Sequence, residues 1–139
     1  MSAIAGLRRF DGKPESAADC ARMLSAQQIY GPHDRGTWSD GALALGRQLF
    51  KTLPEDDHDR QPLQTPDGRL VLVADVRLDN RDELRAALGL PMSQTGQLCD
   101  AAILLASLEH WGEDAVDRLT GDFAFALWRY ACAKTFAGT

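Results

Sequence analysis

Apolar residues recur along this chain at two different intervals, and the interval separates strands from helices. Residues 3–10 (AIAGLRRF) form a short apolar run closed by Asp11-Gly12-Lys13-Pro14, which predicts a strand and a turn. Residues 15–29 change to a helical period, with Ala17, Cys20, Met23 or Leu24, and Ile29 on one stripe. GPHDRG (31–36) reads as a loop, and TWSDGALALGRQLF (37–50) as two short strands around the tight turn Ser39-Asp40-Gly41. Residues 51–64 have no period. They carry an unbroken acidic and histidine run at 55–59, which predicts an exposed, mobile loop with solvated charges.

The second half is more strongly patterned. Pro66-Asp67-Gly68 predicts a turn, and the nearly continuous apolar run from Leu70 to Val76 predicts a strand covered on both faces. Asn80 with Glu83 fits a capping box for a helix over 80–88, stopped at Gly89 and Pro91. Residues 96–111 give the strongest helix, with Leu98, Ala102, Leu105 and Leu108 in one stripe and Ile103 and Leu104 widening it. A short helix is expected over 113–119. After the turn Gly121-Asp122, a strand is expected over 123–130 with Phe123, Phe125 and Leu127 on one face. KTFAG (134–138) is a candidate antiparallel partner for that strand. The order strand, helix, several strands, helices, strand predicts an α+β domain with antiparallel sheets. Because Thr139 falls in or just after a strand, the chain is expected to be a fragment of a longer protein.

Composition narrows the function classes. At 139 residues the chain is one domain's worth, with 45% hydrophobic and 25% charged residues, as in ordinary globular proteins. A net charge of -5 argues against a nucleic-acid partner, since no basic stripe is present to neutralise phosphates. No apolar run reaches the roughly 18 residues of a membrane span, and Arg8 and Arg9 follow the first apolar stretch rather than precede it as in a signal peptide. Cys20, Cys99 and Cys132 have no metal spacing and fit small buried hydrophobes in a reducing, cytoplasmic setting. His33, His58 and His110 are scattered, so no metal site is expected. Trp38, Trp111 and Trp128 are too far apart in sequence to suggest a stacking platform, and core or rim packing is expected of them. Arg8 and Arg9 are read either as an anion site beside the N-terminus or as an exposed strand face.

Several segments fall into one pattern: MSAIAGLRRFDG at the start, GPHDRGTWSDGALALG, RQPL at 60–63, LVLVADVRLDNRDELRAAL at 70–88, and DAAILLASLEHWGEDAVDRLTGDFAFALW at 100–128. In this order and spacing they resemble the N-terminal glutaminase-type domain of asparagine synthetase and its relatives, the class II glutamine amidotransferases. These are N-terminal-nucleophile hydrolases. In finer flavour the chain is similar to the asparagine-synthetase-like cyclases of lasso peptide biosynthesis. The resemblance covers essentially residues 2–130 and implies a four-layer αββα sandwich, two antiparallel sheets between helix layers.

In that family the residue exposed by removal of Met1 carries a nucleophilic thiol and its own α-amine as base. This chain has Ser2 there, a weaker nucleophile, followed by Ala3 in place of glycine. The family's Asn-Gly-Glu supplies an oxyanion-hole amide, a close backbone approach and a carboxylate for the substrate amine. Asp75, Val76 and Arg77 stand at those positions. Asp75 has no side-chain N–H to donate, and loss of one such donor costs roughly 10²–10³ in rate. Val76 is expected to take up the room glycine leaves, and Arg77 reverses the charge. The family arginine that grips the substrate carboxylate falls on Leu49, with Arg47 two residues away, and Asp100 alone matches a substrate-binding position. Asp75 and Arg77 share a strand face. Arg77 is therefore expected to pair with Asp75, Asp100 or both and plug the old pocket, the alternative being that it reaches solvent.

The resemblance then implies a degenerate glutaminase domain with a structural or docking role. Its parent would be an ATP-dependent amide-bond-forming enzyme, with ATP and magnesium held only by a following synthetase domain. The Ser-Gly-Gly-x-Asp-Ser pyrophosphate loop of that second domain does not occur here. Its partners would be that synthetase domain and, in a cyclase, a precursor peptide, and a homo-oligomer is left open. Two other readings stand beside it: a working amidotransferase using Ser2, and a free-standing binding protein.

Overall fold

Two central strands, each covered on both faces, organise the molecule. A computed structural model describes residues 2–90 and 98–130. The first sheet has the order β1 (Ala3–Arg8), β3 (Leu43–Leu49), β2 (Asp34–Asp40), and the second β4 (Leu63–Gln64), β5 (Leu70–Leu78), β6 (Gly121–Arg129). All these pairings are antiparallel. Helix α1 (Ser16–Ala26) covers the first sheet, while α2 (Arg81–Leu88) and α3 (Asp100–Trp111) lie on the side of the second. The layers are therefore α, β, β, α.

Strand alternation explains the layering. On β5, Leu70, Leu72, Ala74 and Leu78 pack with Ile103, Leu104 and Leu108 of α3, and Phe123, Phe125 and Leu127 of β6 join them. The intervening Val71 and Val73 point the other way and meet Leu45, Ile4, Trp38 and Trp128 between the sheets. On β3, Ala44 faces α1 with Cys20 and Leu24.

Several boundaries differ from the sequence reading. The first helix ends at Ala26 and a 3-10 turn covers Gln28–Tyr30. Ile29 is consequently 79% exposed, and the buried face runs through Ser16, Cys20 and Leu24 rather than Ala17 and Met23. Buried Ser16 is satisfied by donating to the Ala42 carbonyl at 2.6 Å. β2 begins inside the expected 31–36 loop because Asp34 already pairs with Leu49. β5 extends two residues beyond Val76, and 3-10 turns occupy Pro54–His58 and Gly112–Arg118.

The capping box at Asn80 does not form. β5 and β6 meet at Leu78 and Gly121, which brings residues 118–120 to Asn80. Its amide instead donates to the Arg118 carbonyl at 2.8 Å and accepts the Thr120 N–H at 3.0 Å. Gly89 stops α2 in the left-handed region, as expected, at φ 69°. Met1, Pro91, the first two residues of the expected 96–111 helix, Cys132, the 134–138 strand and Thr139 lie outside the described residues. Among the described residues no helix is long and apolar enough to cross a membrane.

Candidate functional site

Ser2 enters β1 at one end of the space between the sheets, where β3 ends and β5 carries its polar residues. Ser2, Leu49, Phe50, Thr52, Asp56, Asp59, Asp75, Val76 and Arg77 line a common cleft of ≈ 180 Å³. Five of the six residues singled out for a glutamine pocket are thus brought together. Asp100 is not in that lining: its carboxylate accepts the Leu78 N–H at 2.9 Å and pairs with Arg81 at 2.9 Å, fastening α3 to the end of β5.

Ser2 is held at two points. Its hydroxyl oxygen accepts the Phe50 N–H at 3.0 Å, and its backbone nitrogen donates to Asp75 Oδ1 at 3.4 Å. The first contact ties β1 to the end of β3, and the second ties it across the cleft to the other sheet. Val76 lines the cleft, and its side chain also packs against the α3-side core, as strand alternation requires.

Arg77 does not pair with Asp75 or Asp100. It pairs with Asp79 and, at 2.8 Å, with Asp122. Asp122 sits directly opposite Arg77 in the β5–β6 register, and Asp79 is two residues along the chain. These carboxylates hold the guanidinium at the exposed rim of the cleft, away from Asp75 and Asp100.

A buried charge network is nevertheless present, with other members. Arg47 is 0% exposed and lies between the sheets. Its guanidinium is 2.7 Å from Asp59 Oδ2, donates to the Asp59 carbonyl at 3.2 Å and is 3.8 Å from Asp34. Gln61 donates to Asp59 at 3.2 Å and accepts the Ala74 N–H at 2.6 Å, completing a polar stitch from β3 to β5. The sequence pattern points to Leu49, with Arg47 only as its neighbour, and places Asp59 in a solvated loop. The available signal was their setting: an arginine inside an apolar strand, and an acid two residues before the Gln61-Pro62 pair.

The rest of the acidic run is also used internally. Asp56 accepts the Thr52 and Leu53 N–H groups at 2.7 and 2.8 Å, Asp57 pairs with Lys51 at 3.2 Å, and Glu55 lies 3.8 Å from Arg81. Arg8 and Arg9 lie at the far end of β1 from Ser2, about 20 Å away by strand rise. Arg9 pairs with Asp11, Glu15 and Asp19, and Arg8 stacks over Phe10 and Trp128. Trp38 and Trp128, distant in sequence, both meet Tyr130 edge-on, at 6.3 and 6.0 Å between ring centres. Among the described residues no group of three metal-ligating side chains occurs.

Burial pushes the carboxyls of Asp59 and Asp100 above the ordinary range, opposed by Arg47 for the first and by the Leu78 N–H and Arg81 for the second. Folding therefore raises their proton affinity. From about pH 4 up to the raised value, the folded state holds more protons than the unfolded state, and each group's contribution to stability falls as pH rises. Asp100→Asn should remove one such contribution and leave a flatter stability curve across that window, as measured by urea unfolding at successive pH values. Burial likewise pushes the Cys99 thiol up to about 11, which leaves it inert near neutrality.

Comparison with known proteins agrees with this geometry. Residues 1–137 match the glutamine amidotransferase domain family. A Mycobacterium bovis protein named as a glutamine-hydrolyzing asparagine synthetase is 35% identical over 136 residues, covering 88% of this chain and 20% of that protein. Asparagine synthetase 3 of Bacillus subtilis is 31% identical over 109 residues, covering 77% and 18%. The chain spans about a fifth of the length of these curated relatives. The solved glutamine phosphoribosylpyrophosphate amidotransferase of B. subtilis, complexed with ADP and GMP, superposes with a TM-score of 0.69 at 16% identity. That match covers 93% of this chain and 35% of that one, and it bears on the fold alone. The ordered segments, the doubly covered sheets and the cleft at residue 2 have one explanation: the chain belongs to the glutamine amidotransferase domain family, as a class II, asparagine synthetase-type N-terminal domain.

Proposed function

We propose that this domain keeps the glutaminase fold without glutamine hydrolysis. It serves as a structural or docking module of an ATP-dependent amide-bond-forming enzyme of the lasso peptide cyclase type. The observation that carries the reading is Asp75. It lines the cleft with Ser2, where the family places an amide that donates to the developing oxyanion. A carboxylate there repels that charge, and the penalty exceeds the roughly 10²–10³ of a simply missing donor. Leu49 lines the same cleft with no charge for a substrate carboxylate, and Arg77 is engaged at the rim. The Ser2 hydroxyl accepts a backbone N–H, which lowers its nucleophilicity further.

In such a parent enzyme an amine within the substrate would replace ammonia, and the synthetase domain would supply ATP and magnesium chemistry. This domain would pack against that neighbour and help hold a precursor peptide. One observation favours the competing reading of a working amidotransferase: Ser2 does lie in the cleft. The test is ammonia release from glutamine by protein beginning at Ser2. Turnover at background level, unchanged by Ser2→Ala, is expected.

A further inference from the structure

We propose that, once Met1 is removed, the new α-ammonium of Ser2 forms an ion pair with the Asp75 carboxylate that keeps the amine protonated at neutral pH. The contact already exists, since Ser2 N donates to Asp75 Oδ1 at 3.4 Å. Removal of Met1 turns this amide N–H into a cation at the same place, and an opposite charge within about 4–6 Å favours the charged form.

Charge balance in the cleft points the same way. Three carboxylates line it: Asp56, Asp59 and Asp75. Asp59 is matched by buried Arg47, and Asp56 is bound by the Thr52 and Leu53 N–H groups. Arg77, two residues from Asp75 on the same strand face, is held by Asp79 and Asp122. In the segment that follows β3, Lys51 pairs with Asp57, and His33 accepts the Lys51 N–H. Among the described residues Asp56 and Asp75 are the cleft carboxylates that no side-chain cation pairs with; Asp56 is bound by two backbone N–H groups, and Asp75 faces the Ser2 nitrogen, where the processed N-terminus supplies a cation.

The pair would have two effects. It pins β1 of one sheet to β5 of the other. It also withholds the α-amine from any role as a base, because a protonated amine cannot accept the hydroxyl proton of Ser2. The ion pair itself stands on the contact geometry; only its significance as a block to catalysis rests on the function proposed above.

Competitive acetylation tests it. The full-length chain is released from a fusion cut directly before Ser2, so that the amine is free by construction. Its rate of acetylation is read by peptide mass spectrometry across pH, folded and in urea. The amine should titrate about one unit higher in the folded protein than in urea, a tenfold smaller free fraction near neutrality. Asp75→Asn should return it to the value in urea. Asp75→Ser serves the same purpose if the asparagine variant does not fold. Equal folded and unfolded values in the wild type, or an undiminished shift in both variants, would overturn the proposal. Ser2-dependent ammonia release with the shift intact would instead sink the function reading and leave the ion pair standing.

Discussion

Arg47→Met is expected to lower stability by about 3–5 kcal/mol, a large share of the roughly 5–15 kcal/mol of a domain this size. Arg47 is fully buried between the sheets, and Asp59 is 6% exposed. Removing the guanidinium leaves the Asp59 carboxylate desolvated, with the Gln61 amide as its remaining side-chain donor among the described residues. Methionine keeps most of the volume and the apolar stem, so the loss comes from charge and not from a cavity. The double variant Arg47→Met, Asp59→Leu should recover much of the loss, because neither charge then remains buried. Urea unfolding of the two variants and the wild type measures both effects. A single variant as stable as the wild type would show that Arg47 and Asp59 do not depend on one another.

Gly36→Ala is expected to cost about 3 kcal/mol or more, beyond the usual 1–3 kcal/mol of an overpacked side chain. Gly36 lies opposite Arg47 in the β2–β3 register. A Cβ there would sit 1.8 Å from the Gln61 carbonyl oxygen and 2.9 Å from its carbon. Backbone cannot rotate out of the way as a side-chain tip can, so the 59–62 segment must move. That segment carries Asp59 and the Gln61 amide, and its displacement would loosen the stitch to β5. The fall in unfolding midpoint should therefore be accompanied by earlier hydrogen exchange at the Ala74 N–H, which Gln61 accepts. A stable Gly36→Ala protein with Ala74 still protected would refute this account of the crossing.

The elements and their buried faces were legible in the sequence because burial there follows simple periods, while the four-layer order came through the family resemblance. The apolar run from Leu70 marked a doubly covered strand, and the broad apolar face of 96–111 marked a helix packed on more than one side, which the structure begins at Asp100. Polar pairing was less legible. Arg77 and Asp75 share a strand face, which made their pairing plausible, but cross-strand register decides partners, and register put Asp122 opposite Arg77. The acidic run read as solvated because its cations come from distant segments, Arg47 in β3 and Arg81 in α2. Ile29 followed a helical stripe that ended one turn earlier than its period implied. At the cleft, the grouping of Ser2, Leu49, Asp75, Val76 and Arg77 came through the family resemblance. Periodicity alone does not bring the start of one sheet to the middle strand of the other.

The central claim is that the scaffold has lost the groups that polarise a glutamine amide. Its most direct test is ammonia release from glutamine by full-length protein beginning at Ser2, measured beside the Ser2→Ala variant. Identical background rates in the two are predicted. Release well above background that disappears with the Ser2 hydroxyl would contradict it.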